Sequence, residues 1–224
     1  MLLLYNSDRI DVLNLGSSLK YEGFSTWRSI KVEAGYVTDL LHINRGTNSS
    51  SFMDTQDKIE NESLLIYCLT TGKVIVNDLR TENVIWVWSI KPQYGVPTSM
   101  CISEEGTWLA VATSRGFFFV WDLRNGILLN SWRHPKGARI RSLVRYSQEA
   151  NKSKVDKAVV AVTESKYSEV SAWDIETATC FEAWCLVSKS SRRQASAASL
   201  SDSKNHEHEI LEIYGEGINV SCLY

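Results

Sequence analysis

The feature of this sequence that most constrains its fold is a repeated apolar stretch that ends in an aspartate and a polar turn. The three copies are KVIVNDLRTEN, FFFVWDLRNG and EVSAWDIETAT, and their aspartates are Asp78, Asp122 and Asp174. The first two aspartates are 44 residues apart and the last two are 52 residues apart. The excess in the second spacing fits the polar insertion at 147–157, so the chain is predicted to contain at least three related repeats.

A tryptophan also recurs at a fixed distance from each repeated aspartate. Trp88, Trp132 and Trp184 each follow the matching aspartate by ten residues. In two of the three copies a further tryptophan, Trp121 or Trp173, directly precedes the aspartate. A chance match would not hold this phase three times, so the repeat is a structural unit.

Each repeat contains four segments with the composition of β-strands. A glycine followed by a strand-like run begins each repeat, at Gly35, Gly95 and Gly137. The later segments are short, rich in β-branched and aromatic residues, and closed by Gly, Asn or Ser turns. Four strands in 40 to 45 residues with a Trp-Asp signature are typical of a WD40-type β-propeller blade. The sequence therefore predicts an all-β, WD40-type propeller.

The repeats also predict where the blades begin and end. We expect about three full blades and a part-blade at either end, because the first and last strand-like runs match only part of a repeat. The predicted segments are the later strands of a truncated blade at 1–31, blades at 35–90, 95–134 and 137–188, a polar insertion at 45–63, a Ser-rich insertion at 189–215, and the first strand of a further blade at 216–224.

The repeated aspartate could serve structure or chemistry. A structural Asp122 would accept hydrogen bonds from backbone amides of the turn at 123–126. A catalytic Asp122 would need a basic or nucleophilic partner placed by the same repeat, and neither sister copy supplies one. We therefore predict structural roles for the repeated aspartates and tryptophans, which are Asp78, Trp88, Trp121, Asp122, Trp132, Trp173, Asp174 and Trp184.

Composition excludes several classes of function. A net charge of −2 and a pI near 6.1 give no overall attraction for nucleic acid. The five cysteines are odd in number and lack paired CxxC spacing, so neither a disulfide framework nor a zinc site is expected. His206 and His208 lie in a polar segment without further spaced ligands. We expect no metal or other cofactor, and no direct membrane insertion.

One short segment stands out by its positive charge. It contains Arg133, His134, Lys136, Arg139 and Arg141, five cationic or titratable side chains within nine residues, and we call these five residues the cationic segment. A local positive patch on a slightly acidic protein can bind a partner protein. The alternative is a solvated loop that leads into an inner strand. Under either interpretation we expect the charged ends to remain in water.

The run HPKGARIRSLVRY, set between SRGFFFVWDLRNG and EVSAWDIETATCFEAW, resembles one known family. It is similar to the WD40 region of the protein-kinase-like regulatory subunit of the class III phosphatidylinositol 3-kinase complex. The resemblance implies a full-length protein with a myristoylated kinase-like domain, a helical-repeat middle and a C-terminal propeller. Such a protein holds the lipid kinase and its accessory subunits together for autophagy and for vacuolar or endosomal sorting. It would lie in the cytoplasm, on membranes only through the complex.

Kinase activity does not compete with this scaffold role, but one other function does. No Gly-rich phosphate loop, His-Arg-Asp loop or Asp-Phe-Gly sequence occurs in the chain, so no kinase activity is assigned to it. The tetrapeptide from Trp121 to Arg124 fits a W-D-x-R pattern by which some WD40 proteins bind a cullin-RING ligase adaptor as substrate receptors. The sequence at 193–196 also fits a basophilic kinase substrate, a short pattern that many unrelated proteins contain.

Overall fold

The chain folds almost entirely into β-strands. The structure is a computed structural model that describes residues 2–5, 9–14, 25–32, 34–45, 62–146, 157–164 and 168–186. Its first seven strands are β1 (Leu2–Tyr5), β2 (Arg9–Asn14), β3 (Ser25–Lys31), β4 (Val37–Arg45), β5 (Glu62–Leu69), β6 (Lys73–Asp78) and β7 (Val84–Ser89). The next eight are β8 (Pro97–Ile102), β9 (Trp108–Thr113), β10 (Phe117–Asp122), β11 (Leu128–Arg133), β12 (Arg139–Tyr146), β13 (Ala158–Glu164), β14 (Ser168–Asp174) and β15 (Cys180–Leu186). A short 3-10 helix, Pro92–Tyr94, is the only helix among the described residues.

The strands form four sheets in which neighbours in sequence are neighbours in space. The first sheet has the order β1-β2-β3, and the second, third and fourth sheets contain β4–β7, β8–β11 and β12–β15 in the same sequential order. Four-stranded sheets with this up-and-down order are the form expected of propeller blades. The prediction of an all-β, WD40-type fold is confirmed.

Several sequence predictions fall outside the described residues. They concern the kinase-substrate pattern at 193–196, His206, His208, and most of the segments at 45–63 and 189–224. The predicted blade boundaries stay predictions. In the structure, the second, third and fourth sheets extend from Val37 to Ser89, from Pro97 to Arg133 and from Arg139 to Leu186.

The chain divides into two compact units, Met1–Met100 and Cys101–Tyr224, and the division falls within β8. The core of the first unit consists of apolar side chains from the first and second sheets, among them Ile10, Val12, Leu65 and Tyr67. These side chains are at most 4% exposed, because a blade buries both faces of its inner strands.

The core of the second unit lies between the third and fourth sheets. Phe118, at 0% exposed, stacks on Trp132 with ring centroids 5.0 Å apart and meets Trp173 at 5.7 Å. At the rim of the same interface Asn130 donates from Nδ2 to the backbone carbonyls of Ile175 and Glu176, at 3.1 and 3.0 Å. The tilted contacts of Trp173 with Phe118 and Trp132, together with the hydrogen bonds of Asn130, hold the two sheets together.

A bulged hairpin between the last two strands recurs in every sheet. The register shifts once in each hairpin, between Val12 and Leu13 in the first sheet and between Val120 and Trp121 in the third. The residue four places after each repeated aspartate has a positive φ: 62° at Glu82, 68° at Gly126 and 56° at Ala178. Only glycine occupies this region without steric cost, so two of the three turns carry strain.

We expect Ala178→Gly to stabilise the second unit by about 1 kcal/mol, because glycine removes the clash of Cβ with the backbone at positive φ. Urea unfolding of the two proteins measures the difference. The matched control is Gly126→Ala at the equivalent turn of the third sheet, which should destabilise by a similar amount. Equal stabilities for Ala178→Gly and the parent chain would show that the turn holds no strain.

Candidate protein-interaction site

The repeated aspartates lie at the ends of β6, β10 and β14, where each accepts hydrogen bonds from its own turn. The Oδ1 atom of Asp122 accepts from the backbone N–H of Arg124 at 2.7 Å and of Asn125 at 3.2 Å. Asp78 accepts from Arg80 N at 2.9 Å, and Asp174 from Glu176 N at 2.8 Å. This common i to i+2 bond explains why the repeat requires a short acidic side chain at this position.

The same bonds account for the acidity of these carboxyl groups. The hydrogen bond from Arg124 N lowers the pKa of Asp122, and the bond from Thr177 N lowers the pKa of Asp174. At Asp78 burial raises the pKa, but the bonds from Arg80 and Thr81 outweigh it and the pKa is lowered. All three groups are therefore ionised at neutral pH, and their carboxylate oxygens accept hydrogen bonds within their own turns.

The tryptophans that follow the repeated aspartates by ten residues lie on β7, β11 and β15, the last strands of the second, third and fourth sheets. Trp88 pairs across the hairpin with Val74, Trp132 with Phe118, and Trp184 with Val170. Each partner precedes its aspartate by four residues, so the constant spacing of ten reflects one bulged hairpin used three times. The tryptophans before the aspartates are buried more deeply, Trp121 at 5% and Trp173 at 4% exposed.

The cationic segment runs from the end of β11 to the start of β12. Arg133 lies over the ring of Phe117, 5.2 Å from its centroid, and its Nε donates to the carbonyl of Arg115 at 3.4 Å. Arg139 pairs with Glu164 across the β12–β13 hairpin at 3.3 Å, both side chains being 58% exposed. Arg141 is exposed on β12. Arg139 and Arg141 lie two residues apart on β12, where the register with β13 shifts between Ile140 and Ser142.

His134 departs from the sequence prediction, because its side chain is only 1% exposed. Its backbone N–H donates to Gly116 O at 2.7 Å, and its ring meets Trp173 edge-on at 5.7 Å. The His134 ring is therefore shielded from solvent, unlike the charged ends that we expected for the cationic segment. His134 also closes the turn, because its backbone oxygen accepts from Gly137 N at 2.8 Å.

Glu169 on β14 organises this turn, although no pattern in the sequence indicates it. The Glu169 side chain is 9% exposed, its Oε1 lies 3.3 Å from His134 Nε2, and its Oε2 pairs with Lys136 Nζ. The His134 contact is poorly aligned for a hydrogen bond. Glu169 is also fixed through its backbone, which exchanges bonds with Thr163 Oγ1 at 3.1 and 3.3 Å. Lys136 is thus tied to the fold by a buried carboxylate, although it is 53% exposed.

The protonation of His134 follows from these contacts. Burial lowers the pKa of the ring, an effect that outweighs the opposing influence of Glu169. The Nδ1 atom accepts from Lys136 N at 3.3 Å, which assigns the proton of the neutral ring to Nε2, on the side of Glu169. His134 is therefore a neutral structural residue at pH 7.

We expect the chain to lose stability as the pH falls below about 6.5. Because the pKa of His134 is lower in the folded than in the unfolded chain, the unfolded chain binds more protons between the two values. The contribution of neutral His134 to the free energy of unfolding is therefore complete above about pH 6.5. It decreases as the pH falls toward the lower pKa of the folded chain. Burial shifts the pKa of His42 in the same direction.

Thermal unfolding at about pH 7.5 and 5.5 measures this dependence. His134→Gln should reduce the difference between the two midpoints, and His42→Gln in the first unit serves as the matched variant. A parent chain with identical midpoints at both values would contradict the assignment of buried neutral histidine.

Comparisons with known proteins identify similar sequences in several organisms. No protein-family model matches the chain. A Saccharomyces cerevisiae protein is 36% identical over 73 residues, which are 33% of this chain and 5% of that protein. An Arabidopsis thaliana protein is 25% identical over 165 residues, 73% of this chain and 10% of its own length. A Dictyostelium discoideum protein is 31% identical over 121 residues, 54% of this chain and 5% of its own. All three carry the name serine/threonine-protein kinase VPS15, the last as a probable one.

The chain is similar to VPS15 proteins. It spans only 5% to 10% of the length of these three VPS15 relatives. The described residues form β-sheets and one 3-10 helix, and they include no helical lobe of a protein kinase. Within them, no helix has the length and apolar character needed to cross a membrane.

Proposed function

We propose that this chain is a non-catalytic protein-interaction module, the WD40 part of a VPS15-like regulatory subunit of a class III phosphatidylinositol 3-kinase complex. Similarity to VPS15 proteins from a yeast, a plant and an amoeba is the observation that carries this proposal. The sheet architecture supports it, because propeller blades present rigid surfaces to partner proteins and the repeated aspartates are committed to turns. The module would act in autophagy and in vacuolar or endosomal sorting, at membranes only through the complex.

The partner contact belongs to the exposed part of the cationic segment. His134 is buried and Lys136 is paired with a buried carboxylate, so neither offers a free charge. Arg139 and Arg141 remain on β12, and the ion pair of Arg139 with Glu164 is exposed and therefore weak. These two arginines would bind an acidic surface on the lipid kinase or on an accessory subunit and steer its association.

We expect the double change Arg139→Glu and Arg141→Glu to reduce recovery of the lipid kinase when the tagged protein, expressed from its own gene, is precipitated. The loss relative to the parent protein should be largest at low salt and should shrink as salt is raised, because exposed charge contacts are screened. Protein abundance should stay normal, since both side chains lie outside the core. Arg124→Glu is the matched control, as it reverses an exposed arginine on another sheet.

The same precipitation tests the alternative function. A WD40 substrate receptor would recover a cullin-ligase adaptor and would lose it in Arg124→Glu. That result, or recovery of the lipid kinase by the double variant at parental levels in low and moderate salt, would overturn the scaffold proposal or its assigned contact.

A further inference from the structure

A groove of about 560 Å³ opens in the first unit between β3 and the hairpin of β6 and β7. β3 is the last strand of the first sheet and β7 is the last strand of the second. Strands at sheet edges present backbone N–H and C=O groups that an added extended segment can pair with. The groove is therefore bordered on both sides by elements that suit an extended polypeptide.

The groove lies at the position where the repeat has lost its tryptophan. Asn77 directly precedes Asp78 and so stands where the other two repeats have Trp121 and Trp173. On β10 the corresponding face carries three aromatic rings, Phe117, Phe119 and Trp121, with neighbouring centroids 6.5 and 5.7 Å apart. On β6 the same positions hold Lys73, Ile75 and Asn77, and all three line the groove. The space thus matches the place of a large aromatic side chain.

Two buried polar atoms at this groove have no partner. Asn77 is 6% exposed, and its Oδ1 is buried without a hydrogen-bond donor. Arg28 Nε is buried without an acceptor, while Nη2 donates to Arg80 O at 3.0 Å and Nη1 pairs with Glu82. Leaving such atoms unsatisfied costs free energy. A peptide unit offers one N–H donor and one C=O acceptor. It could therefore donate to Asn77 Oδ1 and accept from Arg28 Nε.

The charges around the groove favour an acidic occupant. Glu82 is paired with Arg28, and Asp78 is held in its turn by Arg80 and Thr81. Lys31 and Lys73 also line the groove, and within the described part of the chain neither has an acidic partner. The uncompensated charge at the groove is therefore positive.

We propose that this groove binds an extended acidic peptide segment of another protein, which inserts one bulky aromatic side chain into the space beside Asn77. The peptide backbone bonds to Asn77 Oδ1 and Arg28 Nε, the aromatic ring packs where sister repeats hold tryptophan, and acidic side chains meet Lys31 and Lys73. The inference stands apart from the proposed function, because it uses the first unit and not the cationic segment.

An array of synthetic nine-residue peptides, each with a central tryptophan flanked by glutamate and valine, tests this proposal against the whole chain. Fluorescein labels allow binding to be followed by anisotropy. We expect the best peptide to lose at least about tenfold in affinity when its tryptophan becomes alanine, or when its glutamates become lysine. No binding by any peptide, or equal binding by the alanine and tryptophan forms, would overturn the proposal.

Variants of the chain place the site. Asn77→Trp restores the residue of the sister repeats, so it should fill the groove, abolish peptide binding and raise the midpoint of thermal unfolding. Lys73→Glu should weaken binding at least about fivefold without disturbing the core, whereas Lys91→Glu, an exposed lysine outside the groove, should leave it unchanged. If Asn77→Trp does not fold, Lys73→Glu still decides. Parental affinity in Lys73→Glu would exclude the groove as the binding site.

Discussion

Replacing Trp173 by alanine is expected to lower the free energy of unfolding of the second unit by about 3 to 5 kcal/mol, the usual cost of truncating a buried large aromatic residue. Trp173 is 4% exposed and contacts the rings of Phe118, Trp132 and His134 at 5.7, 6.2 and 5.7 Å. Its Nε1 also donates to Ser171 Oγ at 2.8 Å. The substitution therefore removes ring contacts, opens a cavity and leaves a buried hydroxyl without its donor.

Urea unfolding monitored by circular dichroism measures the effect. Trp173→Phe should recover part of the loss, because a ring remains against Phe118 although the hydrogen bond to Ser171 is gone. Ile127→Ala is the control for a large apolar side chain that is 54% exposed, and it should change the stability by about 0.5 kcal/mol or less. A loss for Trp173→Ala no greater than that of Ile127→Ala would contradict the assigned core.

Gly116→Ala should destabilise the second unit by about 2 to 4 kcal/mol, through the cost of a side chain at positive φ and of overpacking. Gly116 has a φ of +75°, and a Cβ there would lie 2.7 Å from the backbone oxygen of Ala138. A backbone atom within a turn cannot move away cheaply. The turn that presents the cationic segment would have to shift.

Gly137→Ala is the matched comparison in the same turn region. Its φ is +58°, but the atom that a Cβ would meet at 2.6 Å is Nη2 of Arg133, the end of a flexible exposed side chain. We therefore expect Gly137→Ala to cost about 1 kcal/mol, mainly from the backbone conformation. Equal losses for the two variants, measured by urea unfolding, would show that contact with Ala138 O carries no weight.

The repeat itself could be predicted from the sequence because its physical basis is local. Asp122 accepts from Arg124 N only two residues away, and the pairing of Trp132 with Phe118 spans one hairpin. Interactions of such short range recur wherever the same residues recur, so a fixed spacing in the sequence reports a fixed geometry. For that reason the strands, the turns and the all-β class followed from spacing and composition.

The cationic segment shows where local reasoning stopped. Its residues are close in sequence and share a positive charge, which predicted a solvated patch. The structure instead buries His134 and ties Lys136 to Glu169, a carboxylate two strands further along the chain. No local sequence pattern indicates that the Glu169 side chain contacts this turn, because the position of that side chain depends on how β14 packs within the fourth sheet.

The sequence by itself therefore determined the repeat, the aspartate turns and the class of fold, each of which rests on contacts within a hairpin. Only the tertiary structure decided which charged side chains reach solvent and that Asn77 lines an open groove. The exposed fraction of His134 and the groove beside Asn77 depend on sheets packed against each other, and such packing joins residues far apart in the chain. Burial is a property of that packing. It makes His134 a structural residue, and it leaves a groove where the repeat has asparagine in place of tryptophan.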